Sequence, residues 1–287
     1  MSADSYHLTH PAARNTSVIF SSPHSGRSYS AAFLAQTLLD SQSIRSSEDA
    51  FVDLLIDTAP GCGAPLIAAT APRAFIDLNR AVDELDPAVI DGIARCMHNP
   101  RVSSGLGVIP RVVANGRAIY SGKITLTEAQ ARIARYWHPY HAALLGLIAQ
   151  SHASFGEAIL IDCHSMPHEA IEAHAKPGYP RPDVVLGDRF GAAAGRDVMD
   201  RVEAAFVAAG LRVVRNAPFA GAHITQAYGR PLQSQHVVQI EIDRALYLDE
   251  ARVEPTQDFA QFRKLMAGVV AEVAAIGRTD QIRLAAE

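Results

Sequence analysis

The stretch AILIDCHSMP (158–167) begins as four apolar residues and ends on an acid, a thiol and an imidazole before proline stops it. A short apolar run with such a boundary reads as a buried β-strand, here Ala158–Asp162. Side chains alternate across a strand, so Asp162 and His164 share one side and Cys163 faces the other. In open α/β sheets, ligand sites gather where strands end. The strand therefore delivers His164 to such a site, and the fold follows from what surrounds it.

Strands and helices alternate on both sides. Further strands are expected at Ser17–Phe20, Pro65–Thr70, Ala74–Leu78, Val108–Val113, Asp183–Gly187, Leu211–Val214 and Val237–Ile242. Helices are expected at Glu48–Thr58, with Ser46 or Ser47 as N-cap and Phe51, Leu54 and Leu55 on one face, and at Gly191–Ala209 and Gln257–Ile276. The strongest helical pattern is Thr127–Ser151, which Pro139 should kink or break. Residues 81–106 read as a long irregular loop of the kind that carries function. The order predicts an α/β fold in one domain over residues 1–287.

A chain of 287 residues, 48% hydrophobic and 20% charged, has an ordinary globular composition. Its formal net charge of −4 gives no reason to expect a nucleic-acid partner. No apolar run approaches the roughly 20 residues of a membrane span. The first residues lack an apolar export signal, so a cytoplasmic location is expected. Cys62, Cys96 and Cys163 are odd in number and scattered, which fits reduced thiols.

Polar clusters punctuate the expected strand ends and helix starts: SSPHSG (His24), SSED (Glu48, Asp49), IDLNR (Asn79, Arg80) and IDCHSMP (His164). A further one, VVQIEIDR, puts Glu241 inside an apolar strand, on the face shared with Val237, Gln239 and Asp243. A carboxylate there needs a partner or a catalytic reason, because an unpaired buried charge is costly. Two histidines and a carboxylate are the usual ligands of a catalytic zinc, with one position left open. His24, Asp49 and His164 supply that set, and Glu241 supplies a base for the water. Each residue also has a plainer reading. A histidine after a strand can cap a loop, Glu48 and Asp49 can serve a helix dipole, and Arg80 and Arg111 can form surface ion pairs. Glu241 can pair with Arg244 or Arg230, and Cys163 can be a small buried apolar residue.

Taken in order, SSPHSG, EDAFVDLL, IDLNRAVDE, GLGVIPRVV, IDCHSMP, GDRFG, GAHITQAYGRP and QIEIDRALY resemble the N-formylglutamate amidohydrolase family over nearly the whole chain. The resemblance implies a relative of the zinc carboxypeptidases (phosphorylase/hydrolase-like), a three-layer α/β/α sandwich around a mixed, mostly parallel sheet. It implies Zn2+ on His24, Asp49 and His164, Glu241 as general base, and Asn79, Arg80 and Arg111 on the carboxylates of a small dicarboxylate substrate. The peptidases place two ligands three residues apart, but Arg27 stands three after His24, so the acid ligand comes from Glu48-Asp49, with Asp49 preferred. Glu48, Asp162 and His223 remain as residues that either support the ligands or have no assigned role. The implied reaction is hydrolysis of N-formyl-L-glutamate to formate and L-glutamate.

Three alternatives stand beside it. The same metal chemistry could act on another N-acyl amino acid or small peptide. A metal-free hydrolase could use Ser22 or Ser25, although the GxSxG elbow is absent. A non-catalytic binding protein of the same fold is the third.

Overall fold

The computed structural model describes residues 5–94, 99–172 and 181–278. Its centre is β4 (Ala158–Met166), nine residues long and buried throughout. The strand runs on past Asp162, so the polar residues IDCHSM belong to it. Beside β4 lie β2 (Val18–Ser22) and β7 (Gln235–Asp243), both parallel to it. With β1 (Tyr6–Thr9), β3 (Leu66–Ala69), β5 (Val184–Gly187) and β6 (Val213–Arg215), they form a seven-stranded sheet in the order β1-β3-β2-β4-β7-β5-β6. The inner strands β3, β2, β4 and β7 are parallel; β1 is antiparallel to β3, and β5 is antiparallel to β7. The sheet is mixed and mostly parallel, in the α/β class.

The two faces are covered differently. Val18, Phe20, Ile159, Ile161, Cys163, Val238 and Ile240 pack with helices Arg196–Ala208 and Phe259–Ile276. Ile19, Leu160 and Val237 pack with Tyr140, Leu144 and Leu147 of helix His138–Phe155. On this second face the strands turn polar toward their carboxyl ends, where Leu160 gives way to Asp162 and His164, and Val237 to Gln239 and Glu241. The register places Asp162 opposite Gln239 and His164 opposite Glu241. Strand alternation thus builds a polar patch at one end of an otherwise apolar layer.

Several expected elements differ. Ala74–Leu78 and Val108–Val113 are not strands; they are buried coil crossing once, where Asp77 N donates to Val108 O at 2.9 Å. Their apolar residues report burial, which a loop packed under the sheet shares with a strand. Glu48–Thr58 is not one helix. Only Val52–Leu55 is α-helical, because Phe51 adopts a left-handed φ of 63°. Pro139 does not break its helix; Leu126–Arg132 continues through a π-helical turn, Ile133–Trp137, into His138–Phe155. The wider turn accommodates the missing proline N–H. Strand β1 was not expected from its half-polar sequence, which suits the sheet edge it occupies.

Candidate metal centre and cleft

Three segments converge at the carboxyl end of β4. His164 comes from the strand itself, and His24 from the turn after β2. Gly26 lets that turn press against the neighbouring backbone: a Cβ there would meet Ala71 O at 2.0 Å. Asp49 is tethered beside it, its backbone N–H donating to His24 O at 3.0 Å. The result is a tight triangle. His164 Nδ1 lies 2.9 Å from Asp49 Oδ2 and 3.1 Å from His24 Nδ1, and His24 Nδ1 lies 3.3 Å from Asp49 Oδ2. All three residues are buried.

Each imidazole is held from behind by a carboxylate. His24 Nε2 lies 2.7 Å from Asp77 Oδ1, and His164 Nε2 lies 2.9 Å from Asp162 Oδ2. A carboxylate partner assigns the ring proton to Nε2, so both Nδ1 lone pairs face the triangle. Asp49 is anchored by its other oxygen, which accepts from Arg244 Nη2 at 3.0 Å and Ser165 Oγ at 3.4 Å. With both Nδ1 atoms deprotonated, as binding of a cation requires, three lone-pair atoms face one point, which is the donor set of a divalent cation.

The electrostatics point the same way. Burial works against charge at His164, yet Asp162 and Asp49 hold its pKa well above the usual imidazole value. Burial likewise opposes ionisation of Asp49, but His164 and His24 hold its pKa well below the carboxylate range. The cluster attracts positive charge.

It opens on a cleft of about 540 Å³ whose walls include Glu241, Arg73, Arg80, Arg101 and Arg244. Burial pushes the Glu241 pKa up to about 7, with Asp49 adding to the rise and His164, Arg73 and Gln239 opposing it. Its Oε1 accepts from Gln239 Nε2 at 2.8 Å.

The remaining sequence candidates separate. Arg80 lines the cleft, pinned by Leu106 O and Asn79 O, each at 2.8 Å. Asn79 is wired into the wall: its Oδ1 accepts from Ile224 N at 2.7 Å, and its Nδ2 donates toward Asp162 and Gln239. Glu48 turns away, bonded to Arg45 Nε at 3.0 Å and Tyr29 OH at 2.6 Å, while Asp49 faces the histidines. Arg111 is drawn off by Asp86, at 2.9 Å, and by Ser103 O, and it lies outside the cleft lining. His223 packs against Trp137 and His141 instead of joining the cluster. Ser22 Oγ donates to Ser25 Oγ at 2.8 Å, and both nitrogens of the nearby His24 are directed elsewhere, so neither serine has a base among the described residues. Cys62 and Cys163 are free thiols, and Cys96 lies outside the described residues.

Sequence reasoning assigned no site role to Asp77, Arg73, Arg101, Arg244 or Gln239. The signal for Asp77 was present, two residues before Asn79 in IDLNR. The arginines had none, because their approach depends on loops.

Among the described residues no helix is long and apolar enough to cross a membrane. A model of the N-formylglutamate amidohydrolase family matches residues 16–248. An N-formylglutamate deformylase of Pseudomonas aeruginosa is 32% identical, covering 81% of this chain and 82% of its own. Another, of Pseudomonas putida, is 29% identical, covering 85% and 86%. The crystal structure of an N-formylglutamate amidohydrolase from Ralstonia eutropha JMP134 superposes with a TM-score of 0.88 at 34% identity, covering 95% of this chain and 98% of that one.

Proposed function

Because the chain belongs to the N-formylglutamate amidohydrolase family, we propose that it hydrolyses N-formyl-L-glutamate to formate and L-glutamate, with zinc held by His24, Asp49 and His164. The observation that carries the reading is the donor triangle, with both imidazoles backed by carboxylates and opening on an arginine-lined cleft. Bound there, zinc supplies Lewis acidity, acidifying water and polarising a carbonyl.

The protein's own groups do the rest. Glu241 Oε1 is held by Gln239, so Oε2 is left to take the proton of the attacking water. As the water oxygen bonds to the formyl carbon and the C–N bond breaks, Glu241 returns the proton to the departing nitrogen. Arg73, Arg80 and Arg101 hold the two substrate carboxylates; guanidinium forks suit carboxylates because they make paired, charge-assisted hydrogen bonds. In this arrangement Asn79 orients the wall, and Asp77 and Asp162 orient the ligands.

The test is metal analysis of the purified protein together with formate release from N-formyl-L-glutamate, compared with N-acetyl-L-glutamate and N-formyl-L-leucine. The reading expects about one bound metal per chain, lost in His164→Ala together with activity. It also expects strong preference for the formyl dicarboxylate. A metal-free active protein, or equal rates on the three substrates, would sink it.

A further inference from the structure

Gln239 precedes Glu241 by two residues on β7 and projects to the same face. Its amide has a single orientation. The backbone N–H of Ala222 lies 2.9 Å from one of its terminal atoms, and a backbone N–H only donates, so that atom is Oε1. Asn79 Nδ2 approaches the same oxygen at 3.4 Å, and the Asn79 amide is itself oriented by Ile224 N on its Oδ1. The other end of Gln239 is therefore the NH2 group, and it donates to Glu241 Oε1 at 2.8 Å. Other partners suggested by the sequence are engaged elsewhere, Arg244 with Asp49 and Arg230 with backbone carbonyls.

The far end of this chain of bonds is built into the cleft wall. Ala220, Gly221 and Ala222 all line the cleft. Gly187 is the register partner of Gln239 across β5 and β7, and a Cβ on it would lie 2.7 Å from Ala220 C and Gly221 N. The absent side chain lets the wall segment press onto β5, which brings the Ala222 N–H to Gln239.

The geometry points to Gln239 as a positioning residue that fixes the Glu241 carboxylate and couples it to the wall at Ala222. It rests on the reading of Glu241 as general base. By holding Oε1, Gln239 aims Oε2 at the reacting water, and displacements of about 1 Å at such a group cost on the order of 100-fold in rate.

Two variants of the metal-loaded enzyme test it. Gln239→Met keeps the length and removes both hydrogen bonds. Gln239→Glu keeps an acceptor for Ala222 N–H and exchanges the donor to Glu241 for a second carboxylate, whose like charge also acts on the base. Both are expected to retain metal, with KM for N-formyl-L-glutamate within about 3-fold of the parent and kcat lowered about 10- to 100-fold. A residue that only supports the wall would leave kcat of folded, metal-loaded Gln239→Met near normal and lower only its stability. A folded, metal-loaded Gln239→Glu with kcat within about 3-fold overturns the proposal, as does a loss confined to KM or metal content. If Gln239→Glu fails to fold, Gln239→Met decides by the same criteria. Glu241→Gln, measured alongside, separates the two ideas. Normal turnover there removes the base assignment and this proposal with it. An inactive Glu241→Gln beside normal Gln239 variants removes this proposal alone.

Discussion

Asp77 Oδ1 stands 2.7 Å behind His24 Nε2, so the IDLNR segment reaches the metal centre through a carboxylate that orients a ligand. Asp77 is itself neutralised by Arg73 Nε at 3.1 Å, and burial of the acid is outweighed by Arg80, His24 and Arg73, which keep its pKa well below the usual range. Its removal frees the His24 ring to rotate and lowers the basicity of Nδ1. Asp77→Ala is expected to weaken metal binding about 10- to 100-fold, read by competition with a chelator. Unchanged affinity would mean that His24 is held by packing alone.

How much of this was legible in the sequence depends on the range of each interaction. His24, Asp49, His164 and Glu241 stood out because strand ends expose chemistry in an α/β order, and alternation along β4 placed Asp162 beside His164. The coil around Asp77 and Val108 was misread as two strands because buried loop and strand share the same apolar composition. That Arg111 is bonded to Asp86, 25 residues away, while Arg101 lines the cleft, was not legible. No local pattern encodes that contact.

The arginines give a direct comparison. Arg111 is committed to Asp86 outside the cleft, whereas Arg80 and Arg101 line it. Arg80→Lys and Arg101→Lys are each expected to raise KM for N-formyl-L-glutamate about 10-fold or more with metal content intact, since lysine lacks the paired donors. Arg111→Lys should leave KM within about 2-fold and lower thermal stability only slightly. A KM defect in Arg111→Lys as large as the others would show that the loop rearranges on binding substrate.

His141, which is not among the proposed metal ligands, provides a pH signature. It is buried, with Nε2 donating to Leu78 O at 2.8 Å and Nδ1 accepting from Tyr228 OH at 2.6 Å. Burial lowers its pKa from 6.5 to about 4, against the opposing effect of the Leu78 bond. Between those values the unfolded chain binds a proton that the folded chain refuses. Stability is therefore whole above about pH 6.5 and declines as pH falls toward 4, by on the order of 3 kcal/mol. Denaturation midpoints at pH 7 and pH 5 should differ in the parent. The difference should shrink in His141→Gln, which has no proton to gain at that position. An equal pH dependence in both proteins would assign the acid sensitivity to other groups.

Glu241 separates catalysis from stability most sharply. It lines the cleft on β7 opposite His164, and burial pushes its pKa up to about 7. A carboxylate in that setting costs the fold stability unless a cation or a substrate proton gives it work to do. The Arg244 partner that the sequence offered is taken by Asp49, and Arg73 and His164 offset the charge of Glu241 only in part. Glu241→Gln keeps the shape, removes the proton acceptor and relieves the half-buried charge. The variant should fold, bind metal and bind substrate, with a thermal midpoint equal to or above the parent. Its kcat should fall about 10²- to 10⁴-fold, the usual share of general-base catalysis. If Glu241 is structural instead, the thermal midpoint drops and turnover per folded, metal-loaded molecule stays normal. Rate, metal content and midpoint measured on one preparation decide between them, and near-normal kcat with full metal would place the base elsewhere in the cleft.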